Sequence, residues 1–85
     1  MSYKLKVSFP DSVSAEKQSE FGQTVESKMT GRPAGMISHD VVEENGRQVV
    51  YDEWESQQAF EQFKKTYLES TSQELGLPMP HIEEL

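Results

Sequence analysis

The dipeptide Asn45-Gly46 constrains the fold more than any other feature of the sequence. It separates two strand-like runs, residues 36–43 and 47–54. Both turn residues of a two-residue hairpin loop need positive φ, which Asn and Gly adopt readily, so the pattern predicts a β-hairpin. A two-residue loop also fixes the register. The predicted cross-strand pairs are Glu44–Arg47, Val42–Val49, Val41–Val50, Asp40–Tyr51, His39–Asp52 and Ile37–Trp54.

Other elements are predicted on both sides of this hairpin. An alternating apolar run at residues 3–9 predicts a strand, and residues 81–85 predict a short final strand. Apolar residues every four positions over 21–29, and an apolar stripe over 60–68, each predict an amphipathic helix. The order is strand, helix, strand, strand, helix, strand. We therefore expect a single α+β domain, 1–85, with a ferredoxin-like antiparallel sheet and both helices on one face.

The end of the second helix has its own local signals. Residues 70–72 are Ser-Thr-Ser, which interrupts the apolar stripe. Thr71 followed three residues later by Glu74 predicts a capping box, and Gly76 predicts the stop of one further short helical turn.

Composition excludes several classes of function. The chain has 85 residues, a net charge of −7, two histidines and no cysteine. The negative charge argues against nucleic-acid binding, and the lack of cysteine excludes disulfides and thiolate metal sites. We therefore expect no metal site and no cofactor. No apolar run is long enough to cross a membrane, and no signal-peptide pattern is visible, so we expect a cytoplasmic location without membrane contact.

Both faces of the predicted hairpin carry apolar side chains, and the apolar fraction of the chain is only 34%. Two helices cover only one face of a sheet, so the second face needs a partner, and a homodimer is the simplest solution. We assign the shared face to the side that carries His39, Val50 and Trp54, which leaves Asp40 and Tyr51 on the helix side. The alternative is a monomer with scattered exposed valines.

The orientation of the first strand bears on the same question. If Leu5 and Val7 pack on the helices, then Lys4 and Lys6 point away from them, into the space that a dimer would enclose.

Residues 35–80 resemble a known group. The matching stretches are Gly35-Met36-Ile37-Ser38-His39, the Asn-Gly hairpin, Trp54-Glu55-Ser56 before an Ala-Phe-x-x-Phe helix, and a following Gly-Leu-Pro. In this order and spacing they resemble the dimeric α+β barrel superfamily, and within it the small proteins related to antibiotic-biosynthesis monooxygenases. The resemblance implies a two-fold dimer whose sheets face each other and whose helices lie outside.

The resemblance also implies possible activities. Relatives include cofactor-free oxygenases of polyketide aromatics and haem-degrading enzymes, in which a tryptophan at the position of Trp54 lines the pocket. This sequence departs from both branches. Its only asparagine is Asn45, in the turn, where those branches use a pocket asparagine, and residues 57–75 contain no histidine that could ligate haem iron. We therefore expect no haem binding of that kind.

His39 and Asp52 are the candidate catalytic residues. A carboxylate can orient an imidazole and prepare it as a base. Trp54, Ile37 and Val50 are the candidate ligand-binding residues, because an apolar cavity with one polar pair suits a planar hydroxylated molecule. The alternative is that the two polar residues form an ordinary cross-strand pair worth less than about 1 kcal/mol.

Two functions from different classes remain open on this basis. The first is a cofactor-independent, monooxygenase-like enzyme that acts on a small aromatic or enolic molecule. The second is a non-catalytic dimer that binds a small ligand or a protein partner. A third reading, a purely structural dimer, requires the interior to be filled by side chains, so the presence of a cavity at His39 distinguishes it from the other two.

Overall fold

A computed structural model describes residues 2–85. The elements are β1 (Tyr3–Ser8), α1 (Ala15–Lys28), β2 (Met36–Glu44), β3 (Arg47–Trp54), α2 (Gln57–Phe63), a π-helical segment (Lys64–Leu68), α3 (Glu69–Leu75) and β4 (His81–Glu84). The four strands form one antiparallel sheet in the order β2-β3-β1-β4. This is the predicted ferredoxin-like α+β fold.

The hairpin turn has the predicted geometry. Asn45 and Gly46 have φ of 54° and 77°, and the pairs from Glu44–Arg47 to His39–Asp52 are in the predicted register. The prediction fails at the far end of the hairpin. A β-bulge between Met36 and Ser38 brings Met36, not Ile37, opposite Trp54, because a bulge inserts one extra residue into one strand.

The face of the sheet that meets the helices is set by the pairing of β1 with β3. Leu5 pairs with Asp52, and Val7 with Val50, so these side chains project from one face. Leu5 and Val7 belong to the buried core together with side chains from the helices. That core consists of Leu5, Val7, Phe9, Val13, Phe21, Val25, Trp54, Phe60, Phe63 and Leu68. We call this side of the sheet the covered face.

The assignment of the hairpin faces is therefore wrong. His39, Val50, Asp52 and Trp54 lie on the covered face, not on a face left for a second copy. Tyr51 lies on the opposite side, together with Asp40 and Lys6, which pair with it.

This opposite side, which we call the open face, carries no helix and has its own polar contacts. The Tyr51 hydroxyl donates to Glu44 Oε2 at 2.6 Å, and Lys6 Nζ lies 3.6 Å from Glu44 Oε1. Val42 and Val49 face each other there. The expectation that Lys4 and Lys6 point away from the helices is confirmed, because Leu5 and Val7 are in the core.

The helices begin at serine caps. Ser14 Oγ accepts from Lys17 N at 3.2 Å, and Ser56 Oγ accepts from Ala59 N at 3.2 Å. An N-cap side chain satisfies one backbone donor that the first helical turn leaves free. These caps fix where α1 and α2 start relative to the sheet.

The second helical region does not break at residues 70–72. It runs from α2 through the π-helical segment into α3 and ends at Gly76, whose φ is 66°. The capping box predicted at Thr71 is wrong. Thr71 is fully buried inside the helix and accepts a hydrogen bond from Lys28 Nζ at 3.1 Å, while the Ser70 hydroxyl donates to Thr66 O at 2.8 Å. Hydroxyls that bond in these ways are compatible with a helix interior.

No helix within residues 2–85 is both long and apolar enough to cross a membrane.

Candidate functional site

A cavity of about 350 Å³ opens between α1 and the covered face of the hairpin. Its volume falls within the roughly 300–1,000 Å³ typical of small-molecule sites. Helix α1 contributes Gln18, Phe21, Gly22, Val25, Glu26 and Met29. The strands contribute Val7, Met36, His39, Val41, Gln48, Val50 and Asp52. Phe9, Gly31, Arg32, Pro33, Phe63, Leu68 and Pro80 complete the lining.

The α1 side of the cavity follows from the sequence of the helix. Positions 18, 21, 22, 25, 26 and 29 recur at three- and four-residue spacing, which places them on one helical face. Phe21 and Val25 on this face are buried in the core. The same stripe that attaches α1 to the sheet therefore also forms one wall of the cavity.

His39 and Asp52 form the polar part of the opposite wall. His39 Nδ1 lies 2.7 Å from Asp52 Oδ1, and the side chains are 42% and 4% exposed. Because a carboxylate only accepts hydrogen bonds, Nδ1 carries a proton, and Nε2 of the neutral imidazole keeps a free lone pair. The arrangement can therefore accept a proton at Nε2 and can donate it again.

Trp54 contacts the same carboxylate from the protein interior. Its indole Nε1 donates to Asp52 Oδ2 at 3.4 Å, and the ring is fully buried against Phe60 and Phe63, with centroid distances of 5.7 Å and 5.0 Å. Each oxygen of the Asp52 carboxylate thus has one donor, and its orientation toward His39 is fixed. A buried charge needs such partners to be tolerated.

The pKa of His39 is raised above its ordinary value of 6.5. The largest cause is the hydrogen bond to Asp52. Burial opposes it by disfavouring the charged imidazolium, and the negative charges of Asp52, Glu26 and Asp40 add to the increase. The net effect is a raised pKa, which favours the protonated imidazole.

The residues proposed from the sequence are only partly brought together. His39, Asp52 and Val50 line the cavity. Trp54 is not part of the lining and lies behind Asp52. Ile37 occupies the bulge, is 43% exposed and also lies outside the lining.

Gln18 is a cavity residue that sequence reasoning did not identify. It is only 3% exposed; its Nε2 donates to Val13 O at 2.9 Å, and its Oε1 accepts from the backbone N–H of Gln48 at 3.0 Å. It thereby satisfies a β3 amide beyond the last pair with β1. The sequence feature that could have identified Gln18 is its position as a polar residue within the apolar stripe of α1.

The described residues contain no cluster of three or more histidine or carboxylate side chains suited to a metal ion.

Comparison with known families agrees with this architecture. The family model for antibiotic biosynthesis monooxygenases matches residues 11–75, which is most of the chain and includes α1, the hairpin and the second helical region. No curated protein and no solved structure matches the chain significantly. The matched segment carries every helix and strand that bounds the cavity except β1. The chain belongs to the antibiotic biosynthesis monooxygenase family, within the dimeric α+β barrel superfamily.

Proposed function

We propose that this protein binds a small aromatic or enolic molecule in the cavity between α1 and the hairpin and oxidises it without a cofactor, with His39 as the base. The observation that carries the proposal is the 2.7 Å contact of His39 Nδ1 with the buried Asp52 carboxylate at the wall of a largely apolar cavity. The contact leaves Nε2 free for a substrate proton.

The proposed reaction starts with transfer of a proton from an activated CH₂ group of the substrate to His39 Nε2. The resulting carbanion, delocalised as an enolate or phenolate, transfers electrons to dioxygen and forms a C–O bond with it, which gives a peroxide anion. The His39 imidazolium returns its proton to this anion, and a hydroperoxide results. Elimination of water then breaks the O–O bond and the second C–H bond and leaves a carbonyl group, so that one atom of dioxygen is in the product and the other is in water. Asp52 stabilises the imidazolium that exists between these steps.

The location of the site differs from the sequence expectation. The proposed ligand lies on the covered face, inside one protomer, rather than in a space between two sheets. Trp54 donates to Asp52 from the protein interior and does not contact the ligand. The apolar contacts come from Val50 and Val41 on the sheet and from the stripe of α1.

We further propose that the active form is a homodimer that associates through the open face. Members of the family are typically dimeric. Val42 is 39% exposed on this face although it is a large apolar side chain, and burying it against a second copy would remove that area from water.

The experiment that tests the activity uses anthrone, an enolisable three-ring ketone, with oxygen uptake as the readout. We expect uptake by the wild type and a decrease of roughly 10²–10⁴-fold in His39→Ala, the range of general-base contributions. His81→Ala is the matched control, because His81 is an exposed histidine of β4 outside the cavity. Its activity should be unchanged.

One result would decide against the oxidation, and another against the role of His39. Anthrone binding without oxygen uptake would favour the alternative, a non-catalytic ligand-binding dimer. Equal uptake by wild type and His39→Ala would remove His39 from the mechanism.

A further inference from the structure

Arg32 is the one permanently positive side chain among the described residues that line the cavity. The other charged groups of the lining are the carboxylates of Glu26 and Asp52 and, when it is protonated, the imidazole of His39. Asp52 already has His39 and Trp54 as hydrogen-bond donors. The positive charge of Arg32 therefore has no part in the proposed proton transfer.

The β-bulge of β2 holds the guanidinium of Arg32 in place. Ile37 has no cross-strand partner in the pairing of β2 with β3, as expected for the extra residue of a bulge. Its carbonyl oxygen accepts a hydrogen bond from Arg32 Nη1 at 3.0 Å. Ile37 is two residues from His39, which corresponds to roughly 6–7 Å along a strand. This contact holds the guanidinium at the end of the cavity where His39 lies.

Arg32 forms no ion pair with any carboxylate of residues 2–85. The chain has 15 acidic and 8 basic side chains, so acidic partners are in excess, and the other arginine, Arg47, pairs with Asp11. A guanidinium has five N–H donors in a planar fork, of which Ile37 accepts from one nitrogen. The remaining donors match the two oxygens of a carboxylate.

Glu26 is the group that opposes the binding of an anion at this end of the cavity. It lines the cavity, and its negative charge contributes to the raised pKa of His39. A carboxylate ligand gains hydrogen bonds from Arg32 and is repelled by Glu26. Arg32 and Glu26 should therefore have opposite effects on a negatively charged ligand and little effect on a neutral ligand of the same shape.

We propose that Arg32 binds a carboxylate group of the ligand, so that the preferred ligands of this cavity are small carboxylic acids. This inference rests on the proposed ligand site and adds the chemical class of the ligand. The apolar part of the ligand contacts Val41 and Val50, which also line the cavity. Neutral aromatic molecules enter the same cavity without the contact to Arg32.

The test compares phenylacetate with phenylacetamide, which has nearly the same shape but no charge. Binding to the wild type and to Arg32→Gln is measured by calorimetry at about pH 7, where the carboxylic acid is ionised. We expect Arg32→Gln to reduce the affinity for phenylacetate by about tenfold or more, the order of a lost hydrogen bond to a charged group. Its affinity for phenylacetamide should be nearly unchanged, which shows that the cavity is intact.

Two further variants separate a local contact from the net charge of the protein. Lys65→Gln is the matched control, because it removes one positive charge at an exposed position outside the cavity. It should bind phenylacetate as the wild type does. Glu26→Gln should bind phenylacetate more tightly than the wild type, because it removes the repulsion.

The outcomes distinguish this inference from the proposed function. If the wild type binds phenylacetamide but Arg32→Gln leaves the affinity for phenylacetate unchanged, the inference is wrong and the ligand site stands. Equal losses of phenylacetate affinity in Arg32→Gln and Lys65→Gln would also overturn the inference, because net charge would then explain them. If the wild type binds neither molecule, the proposed ligand site is wrong and the inference fails with it.

Discussion

At the scale of single residues, the properties of His39 depend on one buried carboxylate. Asp52 is buried because β3 places it opposite Leu5 of the core, and it is tolerated there because His39 and Trp54 each donate to one of its oxygens. The imidazole is in turn oriented by the carboxylate. A change at Asp52 should therefore alter His39 without any direct contact with a ligand.

Asp52→Asn should lower the pKa of His39, because it removes the charge and weakens the hydrogen bond that together raise this pKa. Imidazole chemical shifts followed through a pH titration measure the effect, and His81 serves as the internal control. Stability should change accordingly. The raised pKa of His39 stabilises the wild type fully below about pH 6.5, and this contribution is lost as the pH rises through the raised value. Asp52→Asn should flatten that dependence; an unchanged His39 titration would show that the contact with Asp52 does not control it.

At the scale of secondary-structure elements, the sequence predicted those features that depend on residues close together in the chain. Asn45-Gly46 specified the turn and the register as far as His39–Asp52. The covered face was not predictable from the hairpin, because both of its faces carry valines and the choice depends on the long-range pairing of β1 with β3. The bulge at Ile37 and the buried hydroxyl of Thr71 also depend on tertiary contacts.

The junction between β2 and α2 depends on a glycine that the sequence marks only as a turn. Gly35 has a φ of 86°, and a Cβ at this position would lie 2.6 Å from Ala59 Cβ. Its carbonyl also accepts from the backbone N–H of Glu55 at 2.8 Å. The start of α2 therefore packs directly on the backbone that leads into β2.

Gly35→Ala should destabilise the protein by about 2–5 kcal/mol, the sum of roughly 1–2 kcal/mol for a Cβ at positive φ and roughly 1–3 kcal/mol for overpacking. Gly46→Ala is the matched control, because its φ of 77° is similar but no atom lies within 4 Å of the added Cβ. Gly46→Ala should cost only the roughly 1–2 kcal/mol for a Cβ at positive φ. Urea unfolding measures both variants, and equal costs would show that the contact with Ala59 is unimportant.

At the scale of the whole molecule, the ligand site and the proposed dimer contact are on opposite faces of one sheet. The cavity lies on the covered face, and the open face carries the Lys6–Glu44–Tyr51 contacts beside Val42. Two adjacent valines of β2 lie on these opposite faces. Val41 is 54% exposed at the cavity, and Val42 is 39% exposed on the open face.

Val42→Asp should dissociate the dimer, because it places an unpaired charge where we propose an apolar contact. Val41→Asp, one residue away on the other face, should leave the dimer intact and weaken ligand binding instead. Sedimentation velocity at micromolar concentration compares both variants with the wild type. A wild type that sediments as the 9.7 kDa monomer would refute the dimer. Dissociation caused by Val41→Asp but not by Val42→Asp would place the interface on the covered face.

The assignment of the cavity beside His39 and Asp52 as the ligand site is tested most directly by methyl chemical-shift changes of the valine side chains during titration with 1-naphthol, because side chains alternate between the two faces of a strand. We predict that the largest shifts occur at Val41 and Val50, which line the cavity, with a parallel change in the His39 imidazole. The methyl groups of Val42 and Val49, which face each other on the open face, should shift least. Shifts concentrated at those two open-face residues, or none at any cavity residue, would contradict this assignment.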